Sequence, residues 1–226
     1  MFDFLRRFLF ATRYEEAALL AQYVRMQYGP FVEPAYAKSE PFYQELITRA
    51  APHIREGARA LDVGCALGRL VFEWEKLGAT AVGIDPSRRF IQYCRLMQAK
   101  KAEGSFALKD HSEARLICGK FEEEAASLGQ FDFVSCVNVI DRVDDPAAFL
   151  KTLSGSVRSG GALLITDPYD WELSPAPRRA WIEDFVKTFP ANEWEIIWQE
   201  PQVPFTVPSS PERTYACHAA LLQKLF

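Results

Sequence analysis

Several features that mark common protein classes are missing from this sequence. None of its five cysteines (Cys65, Cys94, Cys118, Cys136 and Cys217) forms a CxxC pair, and their number is odd. Neither a disulfide framework nor a zinc cluster is expected from such spacing, and no metal site is. Reduced thiols in a cytoplasmic protein fit this usage. No apolar run approaches the ~20 residues needed to span a bilayer. Lysine and arginine number 26 against 30 aspartates and glutamates, a formal net charge of −4. The basic surplus of a nucleic-acid binder is therefore absent. So are the phosphate loop G-x-x-x-x-G-K-[ST], any internal repeat, and any linker that would divide the 226 residues into two domains.

What is present suits one soluble domain: 49% hydrophobic residues and 25% charged. The start, MFDFLRRFLFATRYEEAALLAQYVRMQYG, is superficially like a signal peptide, but Arg6 and Arg7 interrupt its apolar run and no small-residue cleavage site follows. Leu5, Leu9, Leu19, Tyr23 and Met26 fit amphipathic helices. Such helices suit a membrane surface or a domain face; we expect a helical cap over residues 1–57, packed on a core formed by 58–226.

Within that core, short β-rich runs alternate with helical ones. Strands are expected at 58–63, 80–85, 114–119, 131–140 and 161–168, with helices at 68–77, 87–99 and 146–157. Strand–helix alternation of this kind builds a parallel sheet covered on both faces. The tail differs: 193–201 and 213–224 read as strands with no helix between them, so they should pair antiparallel. The intervening QVPFTVPSSP carries three prolines and reads as a loop. The expected fold is α/β, Rossmann-like, with seven strands, the last antiparallel.

The segment ALDVGCALGRLVFEW, residues 60–74, puts Asp62, Gly64, Ala66 and Gly68 at alternate positions between a strand and a helix. Glycine permits the dihedrals of a sharp turn and lets a ligand touch bare backbone. The dinucleotide fingerprint G-x-G-x-x-G does not fit, because Arg69 occupies the place of its third glycine. The D-x-G-x-A-x-G form instead resembles motif I of class I S-adenosylmethionine-dependent methyltransferases. Asp85 ends the second strand in VGIDPS, where a carboxylate can accept hydrogen bonds from two vicinal ribose hydroxyls. The cofactor surface is expected to comprise Asp62, Gly64, Cys65, Ala66, Gly68, Asp85, Pro86, Lys120, Phe121 and Asn138.

Further stretches carry a narrower resemblance. QYG (27–29), LGQFDFVSCVNVIDRVDDP (128–146), GGALLITDPYDW (160–171), VPF (203–205) and ERTYACHAALLQK (212–224) are similar to the mercaptohistidine N-methyltransferase family, known as the C-terminal domain of ovothiol synthases and as stand-alone enzymes. That resemblance implies methylation of a ring nitrogen of 5-thiohistidine or a close relative, after a separate sulfur-inserting partner enzyme has acted. The chain departs from the family in three places. Lys120 stands where an acid is common, leaving Glu122 or packing on Phe121 to serve the adenine. Gln27 replaces a histidine, and Asp167 a serine.

Acceptor-site candidates lie beyond the ends of strands four and five. Asn138, Tyr169 and Asp170 are the catalytic candidates. Arg142 suits a carboxylate, Asp170 an amino group or an imidazole N–H, and Tyr169 and Trp171 a ring. Tyr28, Arg213, Tyr215 and His218 would complete the pocket. Duller roles compete: Trp171 as core, His218 as a satisfied structural histidine, Arg142 with Asp144 as a solvated turn pair, Asp141 and Asp145 as helix caps, Arg69 as packing. Open alternatives for function are a methyltransferase of another small molecule, an RNA base or a protein side chain, and a non-catalytic S-adenosylmethionine-binding module.

Overall fold

Alternation of apolar residues along each short strand decides the architecture. In the computed structural model, which describes residues 13–32, 34–102, 112–209 and 211–226, seven strands form one sheet. They are β1 (Arg59–Val63), β2 (Thr80–Asp85), β3 (Arg115–Cys118), β4 (Phe131–Val137), β5 (Val157–Asp167), β6 (Trp194–Val207) and β7 (Arg213–Lys224), in the order β3-β2-β1-β4-β5-β7-β6. The first five are parallel, and β7 runs antiparallel to both β5 and β6. This is the Rossmann-like, mostly parallel sheet with an antiparallel last strand that the sequence leads us to expect.

Successive side chains on a strand face opposite ways, so each central strand feeds two cores. Ala60, Ala81, Phe133 and Leu164 face one layer, with Leu70, Val71, Trp74, Phe90, Cys94 and Met97. Leu61, Val82, Ile84, Val134 and Ile165 face the other, with Phe121, Phe149 and Leu153. The first layer is built from α1 (Ala17–Val32), α2 (Glu40–Ala50), α3 (Arg69–Lys76) and α4 (Arg88–Gln98); the second from α5 (Phe121–Leu128) and α6 (Pro146–Ser156). Two helix starts carry side-chain caps, of which the sequence led us to expect that at Asp145. Ser87 Oγ accepts from Phe90 N at 3.2 Å, and Asp145 Oδ1 from Ala148 N at 3.1 Å with Pro146 in the first turn. Glu122, Glu123 and Glu124 sit in the first turn of α5, where the helix dipole favours negative charge. Asp141, the other cap candidate, does not cap; its carboxylate accepts from Asp170 N instead.

The proline-rich stretch 202–211 requires a correction: β6 continues through Pro204 to Val207. It is the sheet's edge strand, where a missing N–H costs no ladder bond on the solvent side. The pairing with β7 shifts between Glu200 and Val203, a bulge that contains Pro201. Between β5 and β6 the chain makes three short 3₁₀ turns, at Trp171–Leu173, Arg178–Ala180 and Val186–Thr188.

The cap helices α1 and α2 lie against α3 and the far half of β6. Phe42 packs on Phe205 at 4.6 Å between ring centroids. Arg69, 2% exposed, ties cap to core: its guanidinium pairs with Glu40 at 2.9 Å and Glu73 at 3.5 Å and lies over Phe31. It packs and neutralises charge, the duller of its two expected roles. Leu5 and Leu9, assigned above to the cap, lie outside the described residues.

Candidate functional site

The turn after β1 gives the site its shape. Gly64, Ala66 and Gly68 adopt φ of +70°, +47° and +82°, a left-handed region that disfavours side chains. A Cβ on Gly64 would collide with Val139, so only glycine lets the chain pass there. Two residues of the cap hold the turn from behind. Gln27 Oε1 accepts from Leu67 N at 3.1 Å, and the Tyr28 hydroxyl donates to Leu67 O at 2.9 Å. The QYG stretch thus clamps both main-chain polar groups of one loop residue, Leu67. Tyr28 is 1% exposed and lies outside the cleft, so its hydroxyl is spent on the loop and does not reach a substrate.

A cleft of about 970 Å³ opens along the C-terminal ends of β1, β2 and β4. Asp62, Gly64, Cys65, Ala66, Asp85, Pro86, Lys120, Phe121 and Asn138 all line it. Gly68 is set behind, at the N-terminus of α3. Asp85 Oδ2 accepts from Ala66 N at 3.0 Å and Oδ1 from Ser87 N at 2.8 Å. One backbone bond on each oxygen leaves further lone pairs facing the cleft. Burial pushes the Asp85 carboxyl up to about 6, although those two backbone donors favour the anion. Burial likewise raises Asp62 to about 7, opposed by the Ser135 hydroxyl that donates to its Oδ1 at 2.6 Å. Two buried acids with few partners suit a ligand that brings donors or positive charge.

Toward the adenine end expected from the sequence, Lys120 turns aside to pair with Asp144 at 3.5 Å, both groups exposed. Phe121 is 4% exposed, rests edge-on against Phe149, and presents an apolar wall. Glu122 and Cys118 also line this end.

At the other end lie Arg142, Asp170, Arg213 and Tyr215. Arg142 is tied by Asp141 at 3.2 Å and by Asp170 at 3.1 Å, so its partner is not Asp144. Burial alone would lower its pKa; Asp141, Tyr14 and Asp170 more than reverse that, so it stays charged. Beneath it, Asp167 Oδ2 accepts from Asp141 N at 3.2 Å and Oδ1 from Tyr169 N at 2.8 Å. Burial raises both Asp141 and Asp167. The loops after β4 and β5 therefore lock together through reciprocal carboxylate–backbone bonds. Asn138, at φ +58°, accepts from Thr166 Oγ1 at 2.7 Å. Its amide also donates to Cys217, which lowers that thiol's burial-raised pKa.

Besides Tyr28, three predicted substrate residues stand apart from the cleft. Tyr169, at φ +54°, points its hydroxyl at His218 Nδ1 (2.8 Å) and takes a bond from Phe185 N (3.1 Å). His218 is completed by Gln199 at 2.8 Å and stacks on Phe185 at 4.5 Å. Burial lowers its pKa, which favours the neutral ring of a satisfied structural histidine. Trp171 is 7% exposed and stacks on Trp181 at 6.0 Å. Each faces the layer behind β5 and β7 because Asp167 pairs with His218 across that ladder.

Sequence reasoning expected the cap to reach the pocket through Tyr28 but missed the cap residues that do line the cleft. Tyr14, Tyr23, Gln27 and Tyr43 line the cleft. Tyr14 meets Phe90 edge-on at 5.9 Å, and the Glu15 carboxylate accepts from Arg88 N at 2.9 Å, strapping the residues just before α1 to α4. The only hint in the sequence was the tyrosine-rich cap itself.

The description "methyltransferase domain" fits a family model that matches residues 36–201. The chain belongs to this family. Among curated relatives, it is 30% identical over 106 residues to a ubiquinone biosynthesis O-methyltransferase of Vibrio parahaemolyticus, covering 46% of this chain and 41% of that protein. It is 32% identical over 161 residues to a tRNA U34 carboxymethyltransferase of Alteromonas mediterranea, covering 68% of this chain and 46% of the relative. The chain thus spans less than half the length of these curated relatives. Among solved structures, magnesium protoporphyrin IX methyltransferase from Synechocystis PCC 6803 with bound SAM superposes with a TM-score of 0.66, at 15% identity and 96% coverage of both chains. At that identity the likeness is one of fold. Among the described residues of this methyltransferase-domain chain, no helix is long and apolar enough to cross a membrane. Nor do they contain a group of three or more His, Cys, Asp or Glu able to hold a metal ion.

Proposed function

We propose that the cleft binds S-adenosylmethionine and that the chain directs its methyl group to a ring nitrogen of a small, thiohistidine-like acceptor. One observation carries the cofactor half: Asp85, with open lone pairs, beside the turn that the bare main chain of Gly64 opens and that Asp85 itself holds through Ala66 N. The residues fit the group. A ribose needs a carboxylate acceptor, and Asp85 offers one at the mouth of a turn that admits close approach. Phe121 supplies an apolar face for a base.

Bound there, the sulfonium supplies an activated methyl group. What the chain adds is placement. In-line displacement gains most from holding nucleophile and leaving group in register, up to ~7–11 kcal/mol in favourable cases. Arg142 and Asp170 are held rigidly by Asp141 and Asp167, so the acceptor meets fixed charges. Arg213 and Tyr215 complete that end of the cleft. A neutral imidazole nitrogen is already nucleophilic; Asp170 accepts a ring N–H and orients it. The finer choice of acceptor rests on the PYDW and R-x-Y-x-x-H stretches. Of these, Asp170, Arg213 and Tyr215 line the cleft, whereas Tyr169, Trp171 and His218 support it from behind. Action downstream of a separate sulfur-inserting enzyme belongs to the same proposal.

Mass spectrometry of products tests it. The chain is incubated with S-adenosylmethionine and 5-thiohistidine, histidine and a simple phenol in parallel. A singly N-methylated thiohistidine is expected. Methylation of the phenol alone, or no S-adenosylhomocysteine with any of the three, would overturn the acceptor assignment; the cofactor assignment falls only if S-adenosylmethionine also fails to bind.

A further inference from the structure

Three carboxyls crowd one guanidinium where the loops after β4 and β5 meet. Asp141 and Asp167 are fully buried, and Asp170 stands at the cleft. Arg142 is the cation that faces them. Its Nε lies 3.2 Å from Asp141 Oδ1, its Nη2 donates to Asp170 Oδ2 at 3.1 Å and its Nη1 to Asp170 O at 3.3 Å. One guanidinium cannot balance three carboxylates away from water, and like charges so placed retain a proton. We propose that Asp141 and Asp167 are a positioning pair that holds one proton between them at neutral pH. The retained proton lets Arg142 turn its remaining N–H groups to the carboxylate of an acceptor; its loss pulls the guanidinium inward and weakens the site for anions. This rests on the acceptor being a carboxylate-bearing molecule, such as thiohistidine, methylated in this cleft.

Hydrogen bonding decides which acid keeps the proton. Asp167 Oδ1 accepts from Tyr169 N at 2.8 Å and Oδ2 from Asp141 N at 3.2 Å, so both oxygens of an anion are served. Asp141 Oδ2 accepts from Asp170 N at 3.1 Å. Its Oδ1 is buried and has no hydrogen bond among the described residues; Arg142 Nε is near but out of line. An anionic oxygen left so costs more than a neutral one, and the proton belongs on Asp141 Oδ1. Burial, then the Asp167 charge, raises the Asp141 carboxyl well above the usual carboxylate range, against the pull of Arg142. The other titratable groups around the pair are Tyr14, just before α1, Tyr169, Cys136 on β4 and Cys217 on β7. Burial raises all four, so they stay neutral and leave the pair to change charge near neutrality. With the proton in place, Arg142 meets a dipole on the buried side and a carboxylate at Asp170, which holds it toward the cleft. With the proton gone, a second carboxylate competes for it from behind.

Carbon-13 NMR of the full chain labelled at its aspartate carboxyls tests the proton, and steady-state kinetics test its use. Asp141→Asn keeps an amide oxygen for Asp170 N and sets an NH₂ in place of the protonated oxygen, so it copies the neutral state. In wild type a carboxyl resonance should titrate above about pH 7 and be missing in Asp141→Asn. Asp62 and Asp85 are raised as well, so the variant makes the assignment. Asp167→Asn should move that titration to lower pH, because the neighbouring charge is gone. With S-adenosylmethionine saturating, the wild-type KM for 5-thiohistidine should rise about tenfold from about pH 7 to about pH 9, the effect of one added charge on an anion, while kcat changes less than about twofold. In Asp141→Asn that rise should be absent, and comparison of the two chains removes the acceptor's own ionisation. Thermal melts check that each variant is folded. A purely structural Asp141 would lower Tm and shift KM equally at every pH. That result, or a wild-type chain with no Asp141-dependent resonance above about pH 7, would overturn the proposal. If the resonance behaves as expected but 5-thiohistidine is not methylated, the acceptor reading falls, and the positioning role falls with it.

Discussion

Replacing Tyr28 by Phe removes a single buried oxygen and little else. The ring stays in a site that is 1% exposed, and the volume is nearly conserved, so no cavity term enters. What is lost is the 2.9 Å bond from the hydroxyl to Leu67 O, which helps hold the glycine turn. A buried hydrogen-bonding group deprived of its partner costs about 1–3 kcal/mol; we expect about 2. For a domain of this size each kcal/mol lowers Tm by about 2–4 °C, hence a fall of about 4–8 °C. Urea unfolding should move to a lower midpoint with an unchanged slope, because the surface exposed on unfolding is the same. Affinity for S-adenosylhomocysteine should drop, since the turn that lines its site is loosened, whereas the acceptor KM should not change. An unaltered midpoint together with a raised acceptor KM would refute the reasoning and return Tyr28 to the substrate pocket.

Other outcomes follow from the same geometry. Gly64→Ala forces a side chain into a left-handed turn against Val139; chirality costs about 1–2 kcal/mol and overpacking about 1–3 more, so differential scanning calorimetry should show a lower Tm and titration no measurable ligand affinity. Retained binding would show that the turn has room. Tyr169→Phe should destabilise by about 1–2 kcal/mol, because Phe185 N and His218 lose a partner, and should leave kcat within a few-fold; a hundredfold fall in kcat at full stability would make Tyr169 catalytic. Asp85 and Asp62 carry pKa values raised to about 6 and about 7. A carboxyl raised on folding contributes stability that is fully present below the unfolded value near 3.8 and is lost as pH climbs through the folded one. Ligand hydroxyls and ammonium favour the anions, so affinity for S-adenosylhomocysteine should rise between pH 5 and 8, with protons released to the buffer near pH 6–7. Calorimetry in two buffers of different ionisation enthalpy reads that release, and Asp85→Asn should diminish it. A pH-independent affinity would contradict it.

Local pattern carried most of the architecture. Five parallel strands and the antiparallel tail were legible because apolar periodicity and loop length are properties of contiguous residues. Asp62, Gly64 and Asp85 were legible for the same reason: turn, carboxylate and strand end are neighbours in sequence. Pro204 misled, since proline forbids a central strand but not an edge strand, and edge position is a property of the whole sheet. The acceptor-side tyrosine and histidine misled for a related reason. Tyr169 and His218 meet only through the register that sets Asp167 beside His218, 51 residues away in sequence. The loop clamp spans 39 and 40 residues, from Tyr28 to Leu67 and from Leu67 to Gln27. No window of sequence contains it.

Everything depends on the nucleoside resting at Asp85. Titration of S-adenosylhomocysteine into wild type and Asp85→Ala chains, both checked for folding by thermal melt, measures this directly. Saturable one-to-one binding by wild type and a loss of about tenfold to a hundredfold in the variant, the value of hydrogen bonds to a charged carboxylate, are predicted. Equal affinity of the two chains would contradict the account.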